Sequence, residues 1–225
     1  MGENTQRRRA HRQARGLRRQ AEILDAAGQV FAEVGYEKAT TNAIAASAAI
    51  SPGVLYQFFP NKEAIAQALA ARSIEELLAI YDVAFSLEAA RLPLGVLLDH
   101  IIDPLVAFSR ANPGFLALLV GSQISPQLTM TLHEMYEEVL RRFEALIAAR
   151  APHIEPEQRR LIATVSQKIF LALLPLAVGP DARQSNRIVG EMKAVFLGYL
   201  EPLIGLHGMG GTPPAGTIPH GSEGV

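Results

Sequence analysis

Residues 40–62 carry the side chains of this chain whose types and spacing suggest a specific chemistry. A glutamine can pair through two hydrogen bonds with adenine in the major groove of DNA, whereas hydroxyl groups and lysine bind backbone phosphates. A glycine among them allows the backbone to approach a duplex closely. Together these residue types favour DNA binding, and the candidate contacts are Thr40, Thr41, Ser51, Pro52, Gly53, Tyr56, Gln57 and Lys62.

Two short helices are predicted to position these side chains. Thr40 is a favourable N-cap, and the apolar residues that follow it have helical spacing over residues 41–48. Ser51 is a second N-cap, and Pro52 is tolerated at the first position of a helix that continues to Phe58. Two short helices with so tight a connection are typical of a helix-turn-helix, whose second helix presents its N-terminal residues to base edges.

This stretch also resembles the DNA-binding segment of the TetR family of transcriptional regulators (TetR/AcrR-like). The family pattern has Ser-x-Gly-x-Leu-Tyr-x-x-Phe after the turn and Lys-Glu at the start of the next helix, and the likeness covers residues 18–65. The matching residues are Gly35, Tyr36, Thr40, Thr41, Ile44, Ala45, Ala48, Ile50, Ser51, Gly53, Leu55, Tyr56, Phe59, Lys62 and Glu63.

The resemblance implies roles for two of these residues and for the helix that follows. Tyr56 and Lys62 correspond to a tyrosine and a lysine that bind DNA phosphates, and a shift of the helix after Lys62 transmits ligand binding to the DNA-binding heads. Without the motif, the same residues would be a half-buried amphipathic ring and an ordinary solvated lysine.

One position of the turn departs from the family pattern. Glycine is usual where Ala49 stands. If the backbone there has a positive φ, an alanine costs roughly 1 kcal/mol relative to glycine. We therefore expect a turn that is slightly strained or built a little differently.

A basic arm precedes the motif. Residues 1–20 contain seven arginines and a single acidic residue, Glu3. Like charges repel and nothing apolar is available for burial, so residues 1–17 are expected to be a flexible arm. The arm either neutralises DNA phosphates and enters the adjacent minor groove, or only keeps the chain soluble. Arg18 and Arg19, at the beginning of the motif domain 18–63, are further candidate DNA contacts.

Composition favours a helical protein and limits its chemistry. Hydrophobic residues make up 49% and aromatic residues only 6%, a balance that favours helices over sheets. Cysteine is absent, so disulfides, thiolate metal sites and cysteine nucleophiles are excluded. We find neither the apolar segment of a secretory signal nor a run long enough to span a membrane, and we expect a cytoplasmic protein.

The net charge of −1 hides an asymmetry between the two parts of the chain. Residues 1–63 carry a net charge of +3 and the remainder −4. A basic head on an acidic body is typical of a DNA-binding protein, although so modest a difference also arises by chance.

Residues 64–204 are predicted to be helical throughout. Apolar spacing and Pro, Gly or Asn breaks place helices at about 17–34, 61–85, 93–111, 114–123, 125–150, 156–178 and 184–204, in addition to the two short ones. The fold class is therefore all-α: an N-terminal three-helix domain with a helix-turn-helix, followed by a larger helical ligand-binding and dimerisation domain. Residues 205–225 are rich in glycine and proline, and we expect a flexible tail there.

The last two predicted helices carry too many apolar faces for the surface of a monomer. They form either the core of a monomer or two halves of a four-helix interface between two copies, which is also the family arrangement. A homodimer would present two heads to successive major grooves, about 34–36 Å apart. The residues expected in this interface are Ile162, Val165, Ile169, Leu173, Val189, Met192, Phe196 and Leu200.

Polar residues in or beside mainly apolar helices are candidates for an effector pocket, since such pockets combine apolar walls with a few polar groups. They are equally compatible with surface or core positions. His100 and Asp103 stand at a metal-compatible spacing beside Asp99, but no second cluster accompanies them, and we predict neither a metal site nor a cofactor. The pocket candidates are His100, Gln123, His133, Tyr136 and Gln167, and Ser122 and Ser166 are polar residues in the same setting.

We therefore expect a homodimeric transcriptional repressor that a small-molecule effector releases from a roughly palindromic operator in double-stranded DNA. Replacing Gln57 should alter base preference, whereas replacing Lys62 should weaken binding to all sites alike. Two alternatives remain open: an architectural DNA-binding protein without an effector, and a helical enzyme. The enzyme is disfavoured because the sequence has no phosphate-binding glycine loop, no Gly-x-Ser-x-Gly elbow and no His-Glu-x-x-His motif.

Overall fold

The computed structural model describes residues 2–121 and 125–205. Within these ranges the chain forms nine α-helices, a 3-10 turn and no strands, so the predicted all-α fold is confirmed. Gln123 and the predicted tail beyond Gly205 lie outside the described residues. The helices are α1 Gly2–Lys38, α2 Thr41–Ser47, α3 Pro52–Phe58, α4 Lys62–Ala84, α5 Leu94–Ala111, α6 Pro113–Val120, α7 Pro126–Arg150, α8 Pro156–Ala177 and α9 Ala182–Ile204.

Capping side chains set the beginnings of the two short helices. The Oγ1 atom of Thr40 accepts a hydrogen bond from the Ala43 N–H at 3.1 Å before α2. The Oγ atom of Ser51 accepts one from the Val54 N–H at 3.3 Å before α3. Each bond satisfies a donor that has no intrahelical partner. Helix α3 has the predicted bounds, and α2 ends one residue earlier than predicted.

Helices of seven residues do not persist alone in water, so packing must hold α2 and α3 in place. Ile44 of α2 and Leu55 of α3 are fully buried and share a core with Phe31 of α1. Helices α1–α3 therefore form one unit, which we call the head. Helix α4 connects it to the body, which consists of α5–α9.

Helix α1 begins earlier than predicted. We expected a flexible arm over residues 1–17, but the backbone is helical from Gly2. Arginine, glutamine and alanine are favourable helix formers, and Arg15 hydrogen-bonds His11 one turn before it at 3.1 Å. At the other end Gly35 has a φ of 78° and a ψ of 160°, so the regular helix ends at the glycine that the sequence indicated.

The turn between α2 and α3 contains the irregular position that the sequence indicated. Ala49 has a φ of 52° and is the one non-glycine residue with a positive φ in the described part of the chain. Its N–H donates to the Ala46 carbonyl at 3.1 Å, and the Ile50 N–H donates to the Ala45 carbonyl at 3.0 Å. These two bonds hold the alanine in a conformation that favours glycine.

The buried apolar residues form two clusters. The head cluster runs from α1–α3 through α4 into α5, α6 and α7, and it includes Phe31, Leu55, Ile65, Tyr81, Phe115 and Met135. The body cluster joins α5 and α7 to α8 and α9, and it includes Leu98, Ile147, Ile162, Leu174, Met192 and Phe196. The head therefore shares its core with part of the body rather than having a separate one.

Helices α1 and α6 touch backbone to backbone where the head meets the body. A Cβ atom added to Gly114 would lie 2.3 Å from the carbonyl oxygen of Gly28 and 2.4 Å from its Cα. Such distances are far inside van der Waals contact, so only glycine fits at this position of α6.

Helix α4 links the head to the body, and arginine contacts attach its middle to α1 and its C-terminal end to α7. Arg72 pairs with Asp25 of α1 at 2.9 Å. Arg142 of α7 donates to the Leu78 carbonyl at 3.0 Å and pairs with Asp82 at 3.0 Å. A displacement of the C-terminal half of α4 relative to α7 must therefore break or stretch these bonds.

The positive φ of Ala49 leads to a prediction about the free energy of unfolding. Ala49→Gly should raise the free energy of unfolding by about 1 kcal/mol, because glycine removes the cost of a positive φ. The matched control is Ala46→Gly in α2, which should lower it by about 1 kcal/mol because glycine is unfavourable inside a helix. Urea denaturation measures both changes, and a destabilised Ala49→Gly protein would contradict the strain.

The contact between α1 and α6 makes a second prediction. Gly114→Ala should lower the free energy of unfolding by about 1–3 kcal/mol, since the added methyl group overlaps the Gly28 backbone. A Cβ added to Gly28 meets only the Leu69 Cδ2 atom at 4.0 Å, so Gly28→Ala is the control that should not destabilise the protein. Equal thermal unfolding of the two variants would contradict the close approach.

Candidate nucleic-acid interface and effector cavity

Helix α3 presents a small exposed face at its N-terminal end. Ser51, Pro52, Gly53, Tyr56 and Gln57 are all exposed, as expected of residues that contact DNA. A Cβ added to Gly53 would meet nothing closer than the Ser51 Oγ atom at 4.0 Å, so the protomer itself does not require a glycine there. The face is thus open to an approaching duplex.

Two hydroxyl groups meet where α2 and α3 converge. The Thr41 Oγ1 and Tyr56 hydroxyl oxygens lie 3.0 Å apart, and the tyrosine is 51% exposed. Neighbouring hydroxyl groups on an open surface are suitable donors to one phosphate. Thr40, by contrast, already uses its hydroxyl oxygen to cap α2, although its side chain is exposed.

Lys62 holds the end of α1, a role that the sequence did not indicate. Its Nζ atom donates to the carbonyl oxygens of Tyr36 at 2.8 Å and Glu37 at 3.0 Å, and it lies 4.5 Å from the centre of the Tyr36 ring. Two of its three N–H donors are therefore engaged inside the head. Replacing Lys62 would disturb the head as well as any phosphate contact.

Arg18 and Arg19 lie on α1 and share one carboxylate. Arg18 pairs with Glu22 at 3.2 Å and Arg19 pairs with it at 2.8 Å, and both arginine side chains are well exposed. Exposed ion pairs contribute little energy, so a phosphate can replace Glu22 at small cost. Both guanidinium groups remain candidates for DNA contacts.

A cavity of about 90 Å³ lies in the body where the head cluster meets the body cluster. Its walls come from α4, α5, α6, α7, α8 and α9 and are almost wholly apolar. Residues of both clusters face it, including Tyr81, Phe115 and Met135 of the head cluster and Leu98, Leu174 and Phe196 of the body cluster.

The polar groups of the cavity wall are few and uncharged. Ser109 donates to the Leu105 carbonyl at 2.8 Å, and Gln167 donates through Nε2 to the Tyr136 carbonyl at 3.0 Å. Burial raises the pKa of Tyr136 and of Tyr81, so both phenols stay neutral at physiological pH. The cavity therefore offers hydrogen bonds but no charge.

The sequence candidates for the pocket separate into two groups. Tyr136 and Gln167 line the cavity. His133 is exposed on α7, and His100 hydrogen-bonds the Val83 carbonyl at 3.3 Å through Nε2, so neither belongs to its wall. Ser166, which the sequence offers in the same setting, also lines the cavity. Ser109 of the wall was not among the candidates, because no sequence signal distinguishes it from other helical serines.

Two sequence profiles cover most of the chain. Residues 23–69 match the profile of bacterial regulatory proteins of the tetR family, and residues 93–200 match the tetracyclin repressor-like C-terminal domain. The chain belongs to the TetR family. Its family consists of DNA-binding helix-turn-helix transcriptional regulators rather than enzymes.

Curated relatives match about half of this chain or less. The HTH-type transcriptional regulator UidR of Escherichia coli K12 is 36% identical over 100 residues, which are 44% of this chain and 46% of UidR. The nucleoid occlusion factor SlmA of Haemophilus ducreyi is 33% identical over 104 residues, which are 46% of this chain and 50% of SlmA. The chain thus spans about half the length of the curated relatives it matches.

Solved structures of TetR-family regulators share the fold over most of the chain. A regulator from Mesorhizobium loti aligns with a TM-score of 0.63 at 19% identity, covering 83% of this chain and 96% of its own. A regulator from Rhodococcus aligns with a TM-score of 0.65 at 18% identity, covering 80% and 94%. At these identities the likeness establishes the fold alone.

Four of the eight expected interface residues of this TetR-family chain are not available to a partner. Ile162, Met192, Phe196 and Leu200 are at most 5% exposed because they fill the protomer's own body cluster. The other four, Val165, Ile169, Leu173 and Val189, are partly exposed. Both helices are apolar on several faces, so the sequence could not tell the inner face from the outer one.

The outer faces of α8 and α9 are nevertheless apolar. Leu161 and Leu176 on α8 are 53% and 56% exposed, and Val195 and Leu197 on α9 are 46% and 41% exposed. Helix α8 is long and apolar enough to cross a membrane by length and hydropathy, contrary to our expectation, and it packs against α7 and α9.

The acidic pair near His100 serves a link between helices. Asp99 and Asp103 of α5 bind the Nζ atom of Lys193 on α9 at 2.8 and 2.6 Å. Burial alone would lower the pKa of Lys193, but its hydrogen bonds to Asp103 and Asp99 raise it above its ordinary value. Among the described residues no group of three or more His, Asp or Glu is placed to hold a metal ion.

Proposed function

We propose that the chain is a homodimeric cytoplasmic repressor, which a small-molecule effector releases from a roughly palindromic operator. The observation that carries the proposal is the position of the cavity between the two apolar clusters. One cluster contains the DNA-binding head and the other contains the helices with exposed apolar faces. A ligand between them can change how one moves against the other.

The outer faces of α8 and α9 support the dimer. An apolar surface on two adjacent helices is typical of an interface, and four helices pack well when two copies meet. Gly190, Ala194 and Gly198 are exposed one turn apart on α9, and a Cβ at either glycine would meet nothing within 4 Å. Small side chains there would let a partner helix approach closely.

The candidate contacts of the head divide by chemistry. Gln57 is the best candidate for a direct base contact, because its amide can pair with adenine N6 and N7. Thr41 and Tyr56 offer hydroxyl groups to a phosphate, and Arg18 and Arg19 offer charge. Phosphate contacts fix the position of the head on the duplex, whereas Gln57 carries the sequence preference.

Two routes lead from the cavity to the head. Leu77 and Tyr81 of α4 and Phe85 directly after it line the cavity, and α4 continues directly into the head. Phe115 and Leu119 of α6 also line it, and α6 rests on α1 through the glycine contact. A ligand lowers operator affinity only if it binds the released conformation more tightly, and typical coupling is about 1–3 kcal/mol.

An architectural DNA-binding protein without an effector is the competing function. The similarity to SlmA, described as a nucleoid occlusion factor, is a reason to keep it in view. The cavity favours a ligand-responsive regulator, because a helical body needed only for packing would have no use for such a space.

Selection of bound duplexes from a random pool tests the proposal. If the chain is a homodimer, the selected sequence should be two-fold symmetric, with half-sites about one helical turn apart. An asymmetric selected sequence would contradict binding as a homodimer. The absence of any preferred sequence would favour the architectural DNA-binding protein.

Two variants of α3 should separate readout from anchoring. Gln57→Ala should change the selected bases, with a loss of about 1–3 kcal/mol in discrimination at one position of each half-site. Tyr56→Phe should weaken binding to selected and unrelated duplexes by the same factor, because it removes a phosphate contact. Fluorescence anisotropy with both duplexes measures the two effects. If neither variant alters binding to any duplex, α3 is not the recognition helix.

A further inference from the structure

The walls of the cavity restrict the charge of its ligand. Its described lining residues include no Lys, Arg, His, Asp or Glu. An ionised group buried there would lose its hydration without gaining a partner of opposite charge, a cost of several kcal/mol. A carboxylate or an ammonium group is therefore a poor occupant, and a neutral molecule is a good one.

One polar group of the wall lacks a partner. Ser166 of α8 lines the cavity and is only 2% exposed, and its Oγ atom has no hydrogen-bond partner among the described residues. A helical serine usually donates to the carbonyl four residues earlier, as Ser109 does to Leu105 in the same wall. A buried polar group without a partner is rare in native proteins and calls for a specific explanation.

We infer that the cavity binds an uncharged, mainly aliphatic molecule whose hydrogen-bonding group pairs with the Ser166 hydroxyl. The inference rests on the proposed function, since it gives the chemical class of the effector. One water molecule needs about 10–15 Å³ of such space, so a cavity of about 90 Å³ has room for on the order of six to nine non-hydrogen atoms before any wall moves. Medium-chain neutral amphiphiles have this size.

Matched pairs of alcohols and carboxylates test the charge requirement. The probes are 1-hexanol, 1-heptanol and 1-octanol, each compared with the carboxylate of the same chain length at pH 8 by isothermal titration with the full chain. Each alcohol should bind at least tenfold more tightly than its carboxylate, because only the carboxylate brings an unpaired charge. Equal affinities within the pairs would overturn the inference, as would no binding by any of the alcohols.

Two serine variants test the hydrogen bond. Ser166→Ala should weaken alcohol binding about three- to tenfold, the range expected for one hydrogen bond. Ser109→Ala is the control, because its hydroxyl lies in the same wall but is already bonded to Leu105. It should leave alcohol affinity unchanged.

The Ser166→Ala protein should also fold, with an unchanged or higher melting temperature, since it loses a buried polar group that has no partner. Unchanged alcohol affinity in a folded Ser166→Ala protein would overturn the inference. An equal loss of affinity in both serine variants would do so as well.

Operator binding by the same samples separates this inference from the proposed function. If alcohols bind through Ser166 but leave operator affinity unchanged, the ligand class is right and effector release is wrong. If the operator is bound normally and no alcohol binds, the ligand class is wrong and the DNA-binding regulator stands.

Discussion

The backbone contact between Gly28 and Gly114 is the constraint on which the arrangement of head and body depends. No side chain separates α1 from α6 at this point, so the two backbones cannot approach each other more closely there. Helix α4 supplies the second connection, with Arg72 attached to the head and its other half attached to Arg142. A displacement of α4 or α6 would therefore act on the head through these contacts.

The cavity between the two apolar clusters is where a ligand would act on these connections. The cavity touches α4 and α6, the two helices that reach the head, and it also touches α8 and α9, whose outer faces are free for a partner copy. A ligand there replaces empty space with contacts to both clusters at once. In the proposed function, the differential affinity of the ligand for two positions of α4 and α6 is the whole energy available for switching.

Local signals in the sequence predicted the helices well. The pairs Ser51-Pro52 and Ser125-Pro126 and the cap at Asn61 mark helix beginnings within a residue of those observed, because caps and first-turn prolines act through neighbouring backbone groups. Ala49 was identified differently, from the family resemblance, because the family pattern has glycine at this position; its φ is 52°.

What the sequence could not predict depends on contacts between distant residues. The inner and outer faces of α8 and α9 differ only in which cluster they join, so Ile162 and Met192 were expected at an interface and lie in the core. The phosphate contact expected of Lys62 stays a prediction, and the sequence did not indicate that Lys62 also binds carbonyls twenty-five and twenty-six residues earlier. His100 and His133 have no sequence feature that excludes them from the cavity; only the packing of α5 and α7 does.

The most direct test of the account is reciprocal linkage between the cavity and the operator. The affinity of the operator is measured with and without a saturating cavity ligand, and the affinity of that ligand is measured with and without the operator. We predict that both affinities fall by the same factor, about 5- to 150-fold. An operator affinity that is unchanged while the ligand is bound would contradict the account.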